Sequence, residues 1–461
     1  MTNDYPAIIW GPRTISRQKL EQYISSVIKH FKGRGIKFKD RIVIVENNSV
    51  EYVIVLLALW RMGAVACPFN PRWPLETILE CSKSLNPKVI LTSQKQIISS
   101  KKNIVPTIEL GELISYDART MMEVVNGDIP LEQEATIIWT SGSSAQPKAA
   151  VHTWGNHFYS ASGSQDVIPL TTGDRWVLSL PLYHVSGISI VCRCLLANIT
   201  LVISSDDELA ETLRRSKPTH ISLVTTQLYR LLENKDNHPL LKSLKCILLG
   251  GSAIPMALLE KSLFLDLPVY TSYGLTETSS QVATGKVVDL NKAYAKVLPY
   301  RQVKIDSDGQ ILVKGEVLFK GYLQQNKINL TVTSDGWFKT RDLGKLENGI
   351  LSVLGRMDNM FICAGENVQP EEIEGVLLRM SQIRQAIVVA KEDAQYGQRP
   401  IAFIRAAQGQ FNAKLFEDHC AQYLPKIKVP IAFYPWPEDL NQGLKISRKF
   451  FQERLGNLLG E

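Results

Sequence analysis

This 461-residue chain lacks several signatures that would place a protein quickly, and each absence removes a class. Its seven cysteines (Cys67, Cys81, Cys192, Cys194, Cys246, Cys363 and Cys420) are odd in number and scattered, which argues against the disulfide framework of a secreted scaffold. Cys192 and Cys194 lie close together, but no second cluster follows to complete a metal site. The N-terminus has no basic region leading into an apolar core, so no signal peptide is expected and a reducing cytoplasm is the default location. The most apolar stretch, Val185 to Ser204, is interrupted by Arg193 and Asn198. It reads as a buried helix and strand, so no integral membrane segment is expected. There is no internal repeat and no low-complexity tract. The formal charge of +7 reads as spread along the chain, with no basic block interleaved with aromatics, so no nucleic acid partner is expected.

What the chain does have is 45% hydrophobic and 21% charged residues, the balance of a folded protein too long for one core. Apolar runs alternate with helical patterns through the first two-thirds. Arg41–Glu46, Val89–Thr92, Arg175–Leu180, Lys245–Leu249 and Val269–Thr271 read as strands, and Val50–Met62 as a helix ending at Gly63. Such alternation predicts an α/β domain of mostly parallel sheets flanked by helices. After about Val297 the pattern shortens. Gln302–Ile305, Gln310–Val313 and Gly315–Phe319 suggest hairpins or a small β-barrel subdomain. Beyond Gly355 two helices and two strands alternate, enough for a small α+β domain of about a hundred residues. The expected division is 1–355 and 356–461.

Five segments carry chemistry. The strand Ala135–Trp139 runs into Thr140-Ser141-Gly142-Ser143-Ser144-Ala145-Gln146-Pro147-Lys148. Four hydroxyls, a glycine and a lysine form an anion cradle there, though not the spacing of a Walker A loop. Tyr273-Gly274-Leu275-Thr276-Glu277 follows a strand, where ligands collect in such sheets. The tyrosine offers a flat face for a base, and Thr276 and Glu277 offer oxygens to Mg²⁺. Thr340-Arg341-Asp342 and Gly355-Arg356-Met357-Asp358 pair a carboxylate able to hold ribose hydroxyls with an arginine able to bind ribose or phosphate. The fifth is Gly443-Leu444-Lys445-Ile446-Ser447-Arg448. Taken singly, each also reads as a polar turn, a helix cap or a solvated end.

Together and in this order, the five segments resemble the adenylate-forming superfamily of acyl-CoA synthetases, adenylation domains and luciferases. The match extends to Pro181–His184, Gly250–Ala253, Gly315-Glu316 with Gly321-Tyr322, and Gly63-Ala64 with Pro68–Pro71, nearly the whole chain. A narrower likeness is to the o-succinylbenzoate–CoA ligases of menaquinone biosynthesis. It rests on Lys148–Trp154, Asp358-Asn359 with Gly365-Glu366, Gln369–Glu372, Lys445–Arg448, and His184-Val185-Ser186-Gly187 followed by Arg193.

The resemblance implies an ATP- and Mg²⁺-dependent acid–CoA ligase acting through an acyl-adenylate, with a small-molecule carboxylic acid, ATP and coenzyme A as partners. Thr140, Ser141, Gly142, Ser143, Ser144 and Lys148 would hold the β- and γ-phosphates. Gly250, Gly251, Ser252, Ala253, Tyr273 and Gly274 would frame the adenine. Thr276 and Glu277 would serve the α-phosphate and the metal, and Asp342 and Arg356 the ribose. Lys445 would reach the α-phosphate from a mobile lid hinged at Asp358, and Gly365 would line the coenzyme A channel. His184, Ser186 and Arg193 would form the acyl pocket. Arg193 sits in an apolar segment with no acidic residue between Asp174 and Asp206. Read from the residues alone, it forms a salt bridge to a distant acid or snorkels at a helix edge. The resemblance instead has it receive a second carboxylate on the substrate. Three departures stand out: Ala145 and Arg341 replace common glycines, and Ile362 replaces a common lysine. The alternatives are a ligase for another aryl or short acid, an adenylation domain serving a carrier, and a non-catalytic adenylate-binding protein. A homo-oligomer is compatible with all of them.

Overall fold

The computed structural model describes residues 5–100, 105–114, 128–140, 147–204, 209–252, 254–290, 295–364, 366–393, 395–407, 410–437 and 448–459. Among the expected site residues, Ser141, Gly142, Ser143, Ser144, Ala253, Gly365 and Lys445 lie outside this set.

Three sheets organise the chain. The first has thirteen strands. Ile8–Trp10, Thr200–Ile203, Arg175–Leu178, His220–Leu223, Cys246–Leu249 and Val269–Leu275 are parallel neighbours in that order. Ser280–Lys286, Lys296–Val297, Ile350–Arg356, Phe338–Glu347, Gln310–Gly315 and Arg301–Ile305 continue it antiparallel. This antiparallel part encloses a core of its own around Val282, Ile311, Val313 and Leu351. The second sheet has eight strands, and Arg41–Val45 lies between Val65–Phe69 and Val89–Thr92. The third has five strands, all after residue 360, and packs on the helices Pro370–Leu377 and Ala413–Tyr423. A large mixed α/β domain followed by a small α+β domain is therefore the architecture, as the pattern of runs predicts.

The strand period of two explains how the layers form. Ile42 and Ile44 face the largest core, together with the helix Val50–Met62, while Val43 and Val45 face a second core with Ile78 and Leu85 of the helix Leu75–Leu85. The helix Val50–Met62 is apolar on every side and accordingly buried throughout its first eleven residues except Glu51. Ser49 caps its start by accepting from the Tyr52 N–H at 3.1 Å. Gly63 ends it in the left-handed region, φ 72°, as the sequence predicts.

Three expectations need correction. Gly315–Phe319 is a turn and not a strand, because Asn156 Nδ2 donates to the carbonyls of Glu316 and Leu318 at 2.8 and 2.9 Å and holds the segment bent. The strand expected at Val269–Thr271 runs on to Leu275, so Tyr273 and Gly274 lie within it. The positive charge is less evenly spread than it reads: Lys29, Lys32, Arg34, Lys37 and Lys39 are all exposed within one short stretch at the end of the helix Arg17–Gly33. No helix among the described residues is long and apolar enough to cross a membrane.

Candidate active site

The site is assembled at the ends of strands from both large sheets. Glu134–Thr140 and Lys148–Thr153 form an antiparallel hairpin in which Thr140 and Lys148 are direct partners. They flank the mouth of the segment 141–146. Lys148 is exposed, and its ammonium lies 5.3 Å from the centroid of the Tyr322 ring. The Tyr322 hydroxyl donates to Glu277 Oε1, while burial and this carboxylate together raise the phenol pKa. The other Glu277 oxygen has no hydrogen-bond partner among the described residues. Glu277 follows Thr276 in a short 3-10 turn, and its carbonyl accepts from the Phe319 N–H at 2.8 Å. Lysine, tyrosine and glutamate thus line one edge.

The adjoining edge is built from Tyr273, Asp342, Arg356 and Asp358. The Tyr273 hydroxyl donates to Asp342 Oδ2 at 2.7 Å, and Arg356 Nη1 lies 3.1 Å from Asp342 Oδ1. Arg356 Nη2 reaches Asp358 Oδ2 at 3.3 Å, and Arg341 reaches the other Asp358 oxygen at 3.2 Å. The strands Phe338–Glu347 and Ile350–Arg356 pair Asp342 directly with Arg356, which fixes this arrangement in the backbone. Burial raises the Asp342 pKa even though Tyr273 and Arg356 oppose it. Burial also disfavours the Arg356 charge, but the two aspartates outweigh it and hold its pKa above the ordinary value. Gly274 is required by packing, since a Cβ there would lie 1.6 Å from the Ser280 carbonyl oxygen. Arg341 occupies the left-handed region at φ 63°, the reason a glycine suits that position.

At the end of the strand Cys246–Leu249, Gly250, Gly251 and Ser252 turn beside Ser272, and the Ser252 and Thr225 hydroxyls are 3.3 Å apart. Gly251 has φ 84°.

Sequence reasoning passed over His152 as a site residue. It is fully buried, and its Nε2 lies 2.7 Å from the Thr276 carbonyl. A carbonyl only accepts, so Nε2 carries the proton. Burial pushes its pKa down to about 4 and keeps the ring neutral. His152 therefore ties the hairpin behind Lys148 to the turn that carries Glu277. Tyr322 also went unassigned, although Gly321-Tyr322 is part of the motif set; its role appears only when two sheets meet.

The expected acyl pocket is arranged differently from the reading of its residues. His184 is exposed, stands just before the helix Val185–Leu196 and packs 4.7 Å from the Tyr183 ring. Ser186 makes no bond to Arg193: the Arg193 Nε donates to Ser164 Oγ at 3.1 Å and its Nη2 donates to Gln281 Oε1. The guanidinium lies 5.0 Å from the Trp176 ring centroid. Arg193 is 1% exposed and forms no ion pair among the described residues, so neither the distant salt bridge nor the snorkelling side chain describes it.

Among the described residues no group of three His, Cys, Asp or Glu side chains is placed to hold a metal ion. The unbonded Glu277 oxygen would suit a Mg²⁺ that keeps most of its other ligands from phosphate and water.

The fold is shared with known enzymes. The AMP-binding enzyme family profile matches residues 1–323, and its AMP-binding enzyme C-terminal domain matches 372–442. The chain belongs to the AMP-binding enzyme family. Within it, the 2-succinylbenzoate–CoA ligase of Salmonella typhimurium is 33% identical over 455 residues, 97% of this chain and 94% of the relative. The o-succinylbenzoate CoA synthetase of Bacillus subtilis in complex with the acyl-adenylate intermediate superposes with TM-score 0.85 at 29% identity, covering 98% of this chain and 96% of that one. The same synthetase in complex with ATP and magnesium ion gives TM-score 0.85 at 29% identity, covering 98% and 97%.

Proposed function

We propose that this protein is an ATP-dependent 2-succinylbenzoate–CoA ligase, forming 2-succinylbenzoyl-CoA, AMP and diphosphate through an acyl-adenylate. Near-full-length similarity to ligases of that name supports the activity. The observation that carries the site is the contiguous edge Lys148–Tyr322–Glu277 beside Tyr273–Asp342–Arg356.

In the first half-reaction an oxygen of the substrate carboxylate attacks the α-phosphorus, and the bond to pyrophosphate breaks. Thr140, Ser141, Gly142, Ser143, Ser144 and Lys148 hold the β- and γ-phosphates, with Lys148 as the cation. Glu277 would hold Mg²⁺, which when bound would neutralise charge on the phosphate oxygens. Thr276 presents its hydroxyl to the α-phosphate, and His152 fixes the backbone of that turn. Tyr273, Gly274 and Gly250 to Ala253 frame the adenine. Asp342, held by Tyr273 and Arg356, accepts from the ribose hydroxyls. Lys445 meets the charge that builds on the α-phosphate, where a fixed cation is worth most. His184 would lie between the acyl pocket and the reacting carbon, and Arg193 takes the substrate's aromatic carboxylate.

In the second half-reaction the coenzyme A thiolate attacks the acyl carbon along a channel near Gly365, and the bond to AMP breaks. Residues 356–461 rotate between the steps about Asp358. What supports this hinge is its setting: Asp358 lies in a lone 3-10 turn between two sheets, held by ion pairs and not by a strand ladder.

The test is pyrophosphate release over a panel of carboxylic acids, with and without coenzyme A. Release with o-succinylbenzoate, and AMP and thioester formation only when coenzyme A is added, are expected. Turnover of plain benzoate or a fatty acid, with none of o-succinylbenzoate, overturns the substrate and leaves the ligase chemistry.

A further inference from the structure

Two guanidinium groups lie buried near each other with neutral partners alone. Arg193 is 1% exposed and Arg301 is 6% exposed. Arg193 donates to Ser164 Oγ and Gln281 Oε1. Arg301 donates to the backbone carbonyls of Pro299, Gln281 and Tyr159. Neither forms an ion pair among the described residues, and Arg193 Nη1 has no hydrogen-bond partner there. Burial lowers the Arg193 pKa to about 10 and, with the Arg193 charge adding to it, that of Arg301 to about 9, so both stay charged at neutral pH. Three thiols surround Arg193, but burial raises the pKa values of Cys192, Cys194 and Cys246, so they supply no negative charge.

Gln281 is the residue both arginines share. It is 2% exposed and sits opposite Gly274 on the strand that follows the Thr276–Glu277 turn. Its Oε1 accepts from Arg193, its Nε2 donates to Thr284 Oγ1 at 2.6 Å, and its carbonyl accepts from Arg301. Buried arginines normally meet a carboxylate, because an uncompensated internal charge is costly. A glutamate here would have the same size and reach, and the Thr284 hydroxyl could turn to donate to it. The chain carries the amide instead.

We propose that Gln281 is a specificity-determining residue: it orients Arg193 without neutralising it, and so reserves the charge for the second carboxylate of a dicarboxylate substrate. This rests on the ligase reading above and adds to it a reason for a monocarboxylic acid to be a poorer substrate than the dicarboxylate. A monocarboxylate leaves the charge unmet, whereas the dicarboxylate supplies the counter-ion the protein withholds.

The experiment compares kcat/KM for o-succinylbenzoate and for 4-oxo-4-phenylbutanoate, the same acid without its aromatic carboxylate, in wild type, Gln281→Glu and Gln281→Leu. Wild type should favour the dicarboxylate. Gln281→Glu places a rival carboxylate on Arg193 and should cut that preference by about a hundredfold, the scale of losing a buried charged pair. Gln281→Leu removes the hydrogen bond but adds no charge, and should cut it far less. Turnover of the monocarboxylate reports that each variant has folded. If wild type prefers the dicarboxylate and Gln281→Glu keeps that preference, or if the leucine variant loses as much as the glutamate one, the role of Gln281 is wrong. If wild type shows no preference, the substrate reading itself fails.

Discussion

The nucleotide edge and the acyl side of this site handle charge in opposite ways. Around Asp342 two aspartates and two arginines answer one another: Arg356 meets Asp342 and Asp358, and Arg341 meets Asp358. Around Arg193 two cations are buried and no anion among the described residues answers them. A nucleotide arrives with its own Mg²⁺, so its cradle needs geometry more than net charge. The acid arrives bare, and an unanswered internal charge is a strong filter on which acid can enter. On the proposed reading, one side serves a ligand common to the family and the other the particular acid.

The sharpest break in that comparison is Arg193→Ala. Removing one partner of a buried charged pair costs about 3–5 kcal/mol. The KM for o-succinylbenzoate should rise by two orders of magnitude or more, while the KM for ATP stays near its wild-type value. Equal increases in both would mean that the two sides are not separate.

Next in size is Lys445→Ala. Losing one donor aimed at developing charge typically costs a hundredfold or more in rate. Adenylation should fall by that much, while thioester formation from supplied acyl-adenylate largely survives. Equal loss in both half-reactions would remove Lys445 from the first step.

A smaller effect tests the link between hairpin and turn. The His152 pKa lies at about 4 in the folded chain against an ordinary 6.5, because burial disfavours the charged ring. The unfolded chain therefore binds the extra proton first. The stability this neutral ring contributes is complete above about pH 6.5 and is lost as the pH falls towards 4, at most on the order of 3 kcal/mol. Urea melts at pH 7.5 and 5.0 should show a larger acid loss in wild type than in His152→Gln, whose amide can still donate to Thr276. Identical losses would show that His152 does not govern the acid response.

Much of this molecule is legible along the chain because the signals are local. Val50–Met62 is apolar all round, has a serine before it and a glycine after it, and forms the helix those features dictate. The ordered motifs bring Tyr273, Glu277, Asp342 and Arg356 to notice through their own neighbours, although only Glu277 sits in a turn and Arg356 at a strand end, while Tyr273 and Asp342 lie inside strands. What stays hidden depends on contacts between distant segments. Tyr322 meets Glu277 across 45 residues, His152 meets Thr276 across 124, and Arg193 meets Gln281 across 88. Nothing in a local pattern marks Gln281, because its importance lies in not being an acid. The turn at Gly315–Phe319 is hidden for a similar reason: the apolar Val317 and Phe319 invite a strand, and the two bonds from Asn156 that prevent one come from the distant helix Trp154–Ser164.

The smallest effect belongs to Arg341, on the well-compensated side. Its φ of 63° places a branched-off side chain in the left-handed region, which costs an L-residue about 1–2 kcal/mol. In return its guanidinium pairs with Asp358 at 3.2 Å, but that side chain is 61% exposed, and such surface pairs contribute about 0–1 kcal/mol. Strain and ion pair therefore nearly cancel. Arg341→Gly relieves the strain and loses the pair, so its melting temperature should match or slightly exceed wild type. Arg341→Ala keeps the strain and loses the pair, so it should melt below both, by about 1 kcal/mol relative to the glycine variant. Because the lost pair is one of two on Asp358 among the described residues, both variants should also shift the ratio of adenylation to thioester formation by the same small factor. A glycine variant clearly less stable than the alanine one would show that the ion pair, and not the backbone, sets the balance at this position.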